Sequence, residues 1–206
     1  MEVDAKLTAD GVVVLMHDET LDRTTNGRGP VAAAAYAGIA SLDAGAWFAP
    51  AWRGARVPTL AAALALLAEL DMGVNIEIKP CPGRDRETAK AVVGVVRHDR
   101  GRPALLLSSF SRDSLAAARH SGPELPRGLL IWEYPADWAA AATDLGCVSV
   151  HCADEYLTAD WAAAIRAADY GLAVYTVNDP ARARELRGWG VQSIITDRPD
   201  AVLAAP

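Results

Sequence analysis

Residues 74–80 read VNIEIKP, and this short stretch indicates how the chain folds. Its valine and two isoleucines alternate with polar residues, which is the period-two pattern of a β-strand. An Ala- and Leu-rich run at 60–70 precedes it, and Thr59 is a suitable N-cap for a helix there. A helix followed by a short apolar strand is the repeating element of α/β proteins with a parallel sheet.

The same alternation continues towards the C-terminus. The pattern predicts strands at 74–79, 104–108, 128–132, 147–151, 172–177 and 192–196, with helices at 86–97, from Ser111, at 136–144, 158–169, 179–187 and 199–204. With the strand of Glu2 and Asp4, seven strand–helix units result, one fewer than a TIM (β/α)8 barrel needs. We therefore predict an α/β fold, a TIM barrel missing its first βα unit. An open flavodoxin-like sheet is the alternative, although its usual five strands are fewer than seven.

Three acidic residues lie in strand-like runs, and we expect Glu2 and Asp4 at the C-terminal end of the first strand. Because side chains alternate faces along a strand, Glu2 and Asp4 share one face, and so do Glu77 and Lys79. Two unit charges ~4 Å apart interact by about 4 kcal/mol at an effective dielectric near 20, so clustered carboxylates favour a bound cation. Oxygen ligands suit Mg²⁺ or Ca²⁺, and the pattern predicts a divalent metal at Glu2, Asp4 and Glu77. Solvent-facing charges at a strand edge are the alternative.

A histidine and a lysine complete a candidate hydrolytic site. His17 follows the apolar run 12–16 and precedes Asp18. A histidine near its unperturbed pKa of ~6.5 exchanges protons at neutral pH, so His17 is a candidate acid–base residue. Lys79 is a candidate for contact with a developing negative charge. Capping of the strand by His17, and simple ion pairing by Lys79, are the alternatives.

Composition excludes several classes of protein. The net charge of −6 and the scattered arginines argue against a nucleic-acid surface. No apolar run approaches the ~20 residues that cross a bilayer, and no secretory pattern precedes the first strand. Cys81, Cys147 and Cys152 form an odd, sparse set that fits a reducing compartment. We expect a cytoplasmic protein with one domain over residues 1–206 and a small-molecule substrate.

Several longer motifs carry a family resemblance. They are EVDAKLTADG at 2–11, MHDETLDRTTNG at 16–27, VPTL at 57–60, NIEIKP at 75–80, LSSF at 107–110, GCVSVH at 146–151 and VYTVN at 174–178. Together they resemble the glycerophosphodiester phosphodiesterase family, in particular its cytosolic bacterial members. The resemblance implies a TIM barrel with a small insertion after the strand of Glu2 and Asp4, at about 5–56.

The resemblance also implies an activity. Members of this family hydrolyse glycerophosphodiesters such as glycerophosphocholine and glycerophosphoethanolamine to glycerol 3-phosphate and an alcohol. Glu2, Asp4 and Glu77 match the divalent-metal ligands, His17 matches a catalytic histidine, and Lys79 matches a basic group near the phosphate. Trp47, Phe48 and Trp52 are candidates for a lid over the alcohol, with packing of the insertion as the alternative.

Further pocket candidates lie late in the chain. His151 and Tyr175 stand near the predicted C-terminal ends of their strands, where such barrels bind substrate. A core position is the alternative for His151. The remaining tryptophans of the strand–helix region, Trp132, Trp138, Trp161 and Trp189, are expected to pack within the fold.

One departure from the family pattern bears on activity. Family members open with a strand ending in His-Arg-Gly, followed by Glu-Asn-Thr, and neither string occurs in this sequence. The resemblance implies that the missing unit holds a second catalytic histidine, because His98, His120 and His151 do not match its position. An inactive truncated remnant and a lysophospholipase D-like phosphodiesterase are the alternatives.

Overall fold

The computed structural model describes residues 1–98 and 104–204. It divides into two compact units, Met1–Leu125 and Pro126–Pro206. In both units short strands alternate with helices, which confirms the α/β prediction. Among the described residues, no helix combines the length and the apolar character needed to cross a bilayer.

The first unit contains a four-stranded sheet in the order β2-β1-β3-β4. Its strands are β1 (Glu2–Leu7), β2 (Val13–Leu15), β3 (Val74–Ile78) and β4 (Leu105–Ser109), and its helices are α1 (Tyr36–Ile39), α2 (Leu60–Glu69), α3 (Asp85–His98) and α4 (Arg112–Ser121). Short 3-10 helices lie at Val31–Ala33 and Pro50–Trp52. Strands β1, β3 and β4 are parallel, and β2 is antiparallel to β1.

One face of this sheet packs against α2, α3 and α4. The cluster includes Ala5, Leu7, Ile76 and Ile78 from the strands, all almost fully buried. Because side chains alternate along a strand, Asp4 and the other polar residues of β1 and β3 project from the opposite face. The apolar face therefore determines where the acidic side chains point.

Helix starts in this unit follow the sequence signals. The Thr59 side chain accepts a hydrogen bond from the backbone N–H of Ala62, and Ser111 caps α4 by accepting from Ser114. Such caps satisfy backbone donors that have no partner within the helix. The predicted helices at 60–70, 86–97 and from Ser111 are confirmed within one or two residues.

The strand of Glu2 and Asp4 runs further than predicted. We placed these acids at the C-terminal end of their strand, but β1 continues to Leu7. The extension forms because residues 5–7 pair with β2, in the register Ala5 to Leu15 and Leu7 to Val13. The turn between them contains Gly11 at φ 81°, a conformation that glycine adopts without strain.

The second unit contains four parallel strands in the order β5-β6-β7-β8. The strands are β5 (Arg127–Ile131), β6 (Ser149–Ala153), β7 (Gly171–Tyr175) and β8 (Ser193–Ile194), and the helices are α5 (Trp138–Asp144), α6 (Ala159–Ala167), α7 (Pro180–Gly188) and α8 (Pro199–Ala204). A 3-10 helix follows β6 at Asp154–Tyr156. Asp179 caps α7, directly before Pro180 at the first helical position.

The prediction for β6 was shifted by two residues. We placed His151 at the end of a strand at 147–151, but β6 is Ser149–Ala153 and His151 lies at its centre. The backbone N–H of Cys147 instead donates to Ala142 O at the end of α5. Pairing with β5 begins at Ser149, opposite Gly128, and this register sets the strand.

Candidate active site

Three carboxylates converge on the polar face of the first unit's sheet. Asp4 lies directly opposite Glu77 in the parallel β1–β3 register, and Glu2 lies two residues earlier on the same face of β1. One carboxylate oxygen from each of these residues lies within 4.8 Å of the other two. In residues 1–98 and 104–204, this is the sole group of three His, Cys, Asp or Glu side chains that meets so closely.

The Lys79 ammonium neutralises part of this cluster. Its Nζ atom lies 3.1 Å from Oδ1 of Asp4 and 3.1 Å from Oε1 of Glu77. Burial of the ammonium disfavours its charge, but the two carboxylates outweigh that effect and raise the pKa of Lys79. The lysine is therefore fully charged at neutral pH.

The carboxylates still carry more charge than the lysine balances. Burial, followed by repulsion from Asp4 and Glu77, raises the pKa of Glu2 to about 7. Burial also raises the pKa of Glu77, and Lys79 offsets only part of that shift. The three carboxylates together therefore carry more negative charge than the one lysine neutralises.

The donor set fits a divalent cation. Oxygen atoms bound to one Mg²⁺ or Ca²⁺ at roughly 2.0–2.6 Å lie at most about 4–5 Å apart. The separations within the Glu2, Asp4 and Glu77 group fall inside that limit. Hard oxygen donors of negative charge are also the donors that these two ions prefer.

His17 follows β2 and is held by its neighbour. Its Nδ1 atom lies 2.8 Å from Oδ1 of Asp18, and Asp18 also accepts two hydrogen bonds from Arg23, at 2.6 and 2.8 Å. The hydrogen bonds from Arg23 hold the pKa of Asp18 far below its usual range, so this carboxylate stays ionised. The ionised Asp18 accepts a hydrogen bond from the Nδ1–H group of His17, which orients the imidazole and leaves Nε2 for proton exchange.

His17 and Asp4 line a common pocket of about 320 Å³. Trp47, Thr24 and Arg56 are among its other lining residues. His17 has a side chain that is 60% exposed, so it reaches solvent at the pocket. The structure therefore brings His17 and Trp47 to the same opening as one of the three carboxylates.

Phe48 does not line this pocket. It packs edge-on against Trp47 with ring centroids 5.8 Å apart, and both rings are more than half exposed. The Arg23 guanidinium lies over the Trp47 ring at 5.7 Å from its centroid. Trp47 is thereby linked to the Asp18–Arg23 pair beside His17.

Lys6 is a residue of this region that the sequence analysis missed. It is almost fully buried, and its Nζ atom donates to the backbone oxygen of Lys79 at 3.1 Å. Burial lowers the pKa of Lys6. The signal was available, because Lys6 follows Glu2 and Asp4 at the period of two that defines one strand face.

The two remaining pocket candidates lie in the second unit. His151 is 2% exposed, its Nε2 atom lies 3.0 Å from Oγ of Ser149, and burial lowers its pKa to about 4. Tyr175 donates its hydroxyl hydrogen to Ile131 O at 2.7 Å. His151 thus has the burial of a core residue, whereas Tyr175 lines a surface pocket.

Comparison with known proteins identifies the family. The model of the glycerophosphoryl diester phosphodiesterase family matches residues 1–201. The chain belongs to this family. Its members are phosphoric diester hydrolases, and the resemblance noted in the sequence motifs is confirmed.

Curated relatives are named as glycerophosphodiester phosphodiesterases. A glycerophosphodiester phosphodiesterase of Bacillus subtilis is 31% identical over 217 residues, which cover 97% of this chain and 74% of the relative. One from Caldanaerobacter subterraneus subsp. tengcongensis is 40% identical over 134 residues, which cover 63% of this chain and 54% of the relative. The second match thus spans about half the length of that relative.

Solved structures of this family share the fold. A phosphodiesterase from Oleispira antarctica, in complex with the product sn-glycerol-3-phosphate, matches with a TM-score of 0.94 and 32% identity, covering 99% of this chain and 83% of that chain. A glycerophosphodiester phosphodiesterase from Agrobacterium tumefaciens matches with a TM-score of 0.80 and 32% identity, covering 98% of this chain and 85% of that chain. The fold is consistent with the TIM-barrel-like architecture expected for the family.

Proposed function

We propose that this chain hydrolyses glycerophosphodiesters, such as glycerophosphocholine and glycerophosphoethanolamine, to sn-glycerol 3-phosphate and an alcohol. The observation that carries the proposal is the group of Glu2, Asp4 and Glu77 oxygens within 4.8 Å, in a chain of this family. The product bound to the Oleispira antarctica relative supports the same choice of substrate.

Glu2, Asp4 and Glu77 would hold the metal, Mg²⁺ or Ca²⁺. When bound, this cation neutralises a non-bridging oxygen of the phosphodiester, whose negative charge otherwise repels nucleophiles. The raised pKa of Glu2 supports this assignment, because a cluster short of positive charge gains most from a cation.

Lys79 would contact the phosphate. Its ammonium is charged and lies at the edge of the carboxylate group, 3.1 Å from two of its members. A fixed positive charge in a partly buried site stabilises negative charge that develops on the phosphate oxygens. Lys6 donates a hydrogen bond to the backbone oxygen of Lys79 and so helps to fix the backbone of that lysine.

His17 would act as the general acid or general base of the reaction. The Asp18 carboxylate accepts from Nδ1, so Nε2 is the atom that exchanges a proton with the leaving alcohol or the attacking group. General acid–base catalysis by such a residue contributes typically about 10²–10⁴-fold in rate. Trp47 and Phe48 are then suited to cover the alcohol group of the substrate.

We extend the proposal to the architecture. Residues 1–206 would form one phosphodiesterase domain, a TIM (β/α)8 barrel that lacks its first βα unit, with an insertion at about 5–56. The match of one family model over residues 1–201 supports a single domain. In this proposal the enzyme acts in the cytoplasm on a small molecule.

The test compares two proteins, residues 1–206 and a version that includes the codons preceding Met1 in the gene. Each is assayed with glycerophosphocholine, following glycerol 3-phosphate release with Mg²⁺, with Ca²⁺ and with EDTA. We expect metal-dependent release that His17→Asn lowers at least about 100-fold. The matched control, His120→Asn, changes an exposed histidine of α4 and should retain full activity.

Three outcomes decide between the alternatives. Activity in the longer version alone would contradict hydrolysis by residues 1–206 and would indicate that a required group, such as a second histidine, precedes them. Preference for lysophosphatidylcholine over glycerophosphocholine would replace our substrate with a longer-tailed one. Metal binding without hydrolysis in either version would contradict the proposal and favour an inactive remnant.

A further inference from the structure

A second pocket lies entirely within the second unit. Its volume is about 320 Å³, and it is lined by Trp132, Ala153, Asp154, Glu155, Tyr175 and Thr176. These residues lie at or just beyond the C-terminal ends of β5, β6 and β7. Pockets that bind small molecules start at roughly 300 Å³, so this one suits a compact ligand.

Aromatic rings form the wall of this pocket. The ring centroid of Trp132 lies 6.5 Å from that of Tyr175 at an angle of 44°. Tyr156 does not line the pocket, but its ring centroid lies 6.1 Å from that of Trp132, at 59°. Both pairs of rings are tilted, and neither stacks face to face. The hydrogen bond from the Tyr175 hydroxyl to Ile131 O fixes one ring of the wall.

Two of these rings are exposed to solvent. Trp132 is 54% exposed and Tyr156 is 39% exposed, which corrects our expectation that Trp132 packs within the fold. Clustered exposed aromatic residues at a concave surface typically mark a binding site. The exposed rings therefore indicate a binding site for a ligand.

Charge specifies the ligand further. No Lys, Arg or His is among the residues that line the pocket. Asp154 pairs with Arg182 at 2.7 Å, and Arg182 is shared with Glu185, also at 2.7 Å. Within residues 1–98 and 104–204, Glu155 has no basic partner within ion-pair distance. The pocket is thus aromatic and acidic, which disfavours anions and favours a cation.

We propose that this pocket binds a quaternary ammonium cation of the choline class. The negative faces of the two aromatic residues that line the pocket, Trp132 and Tyr175, attract a cation that lies within about 6 Å of a ring centroid. A trimethylammonium group has no N–H, so it needs no hydrogen-bond acceptor when it leaves water, and its methyl groups pack on the rings. Glu155 supplies the opposite charge at the rim.

The test is a direct titration of the full chain with choline, in EDTA and without any phosphodiester. Isothermal titration calorimetry and tryptophan fluorescence report binding. We expect choline to bind at least about fivefold more tightly than 3,3-dimethylbutan-1-ol, the uncharged molecule of the same shape. Inorganic phosphate should not compete. Because no turnover is measured, a failure of the proposed hydrolysis leaves this result unaffected.

Variants locate the bound cation. Trp132→Leu should weaken choline binding at least about fivefold, whereas Trp132→Phe retains part of it. Trp52→Leu is the matched control, since Trp52 is equally exposed but lies in the first unit. Glu155→Gln should weaken binding roughly two- to threefold, and Glu133→Gln, outside the pocket lining, should not.

Two results would overturn the proposal. Equal affinity for choline and for the uncharged alcohol would show that charge is not recognised. Loss of choline binding in Trp47→Leu, with Trp132→Leu unaffected, would place the cation at the other exposed aromatic pair.

Discussion

The Nζ atom of Lys79 donates to Oδ1 of Asp4 at 3.1 Å, although the two residues belong to distant segments of the chain. The contact exists because β1 and β3 are parallel neighbours, with Asp4 opposite Glu77. The same ammonium also contacts Glu77, so one positive charge is shared between two acids. Among the described residues Glu2 has no ion-pair partner of its own, and burial, followed by repulsion from Asp4 and Glu77, raises its pKa to about 7.

Removing the charge of Glu77 should lower metal affinity without lowering the stability of the fold. We expect Glu77→Gln to lower the affinity for Mg²⁺ or Ca²⁺ and the hydrolytic rate by roughly 100-fold or more. Burial raises the pKa of Glu77, so the neutral amide should keep or increase the melting temperature without metal. Calorimetric titration and a phosphodiester assay measure the first effect. Glu69→Gln, at the exposed end of α2, is the control, and an unchanged metal affinity in Glu77→Gln would exclude it as a ligand.

Removing the charge of Lys79 should affect both folding and catalysis. Lys79→Met leaves Asp4 and Glu77 without their shared cation, and we expect the free energy of unfolding to fall by about 2 kcal/mol. The kcat for glycerophosphocholine should fall about 100-fold, with partial recovery in Lys79→Arg. Urea denaturation and steady-state kinetics check these values. Lys90→Met changes an exposed lysine of α3, and equal effects in both variants would contradict the assignment.

The Asp18 carboxylate orients His17, so its loss should act on turnover. Asp18→Asn retains the size of the side chain but removes the charge that accepts from Nδ1. We expect kcat to fall roughly 100-fold with a smaller change in KM. Asp22→Asn is the matched control, because Asp22 lies in the same loop and pairs weakly with Arg28 at 3.5 Å. If both variants lose activity equally, the loop and not the histidine is affected.

The order of strands and helices was predictable because each element carries a local signal. Thr59 and the apolar run after it predict α2, and the alternation at 74–79 predicts β3. The meeting of Asp4 with Glu77 was inferred from strand faces and motifs. Which strands pair is determined by contacts distant in sequence, and periodicity alone does not contain that information.

The errors have the same origin. The end of β1 depends on pairing with β2, and the position of His151 depends on the register with β5. Lys6 was overlooked because lysine is rarely buried, and the residue type alone predicts an exposed position. Trp132 was expected to pack because it is apolar, yet it lies at a strand end that the described part of the chain leaves exposed.

The pKa of Glu2 makes the metal-free protein sensitive to pH. Its folded-state pKa of about 7 exceeds its ordinary value of 4.5. The folded state therefore binds the proton more tightly, and this stabilisation is complete below pH 4.5 and lost as the pH rises to about 7. In EDTA we expect the urea midpoint to fall between pH 5 and 7, and Glu2→Gln to remove this component.

A divalent cation should reverse that effect. Above pH 7 the ionised Glu2 binds metal without competition from protons, so added Mg²⁺ or Ca²⁺ raises the midpoint more at pH 7.5 than at pH 5. Glu87→Gln is the control, because Glu87 is exposed and paired with Arg84. A metal-induced shift that is the same at both pH values would argue against Glu2 as a ligand.

His151, in the second unit, should make stability depend on pH in the direction opposite to Glu2. Burial lowers its pKa from 6.5 to about 4, so the folded state keeps the imidazole neutral while the unfolded chain takes up a proton. Stability is therefore complete above about pH 6.5 and is lost as the pH falls towards 4, by up to about 3 kcal/mol. His151→Gln should remove that part of the acid-side loss in urea denaturation between pH 7 and 4. His120→Gln, at an exposed position, should keep the wild-type slope; a His151→Gln profile parallel to wild type would mean that this imidazole is protonated in the folded protein.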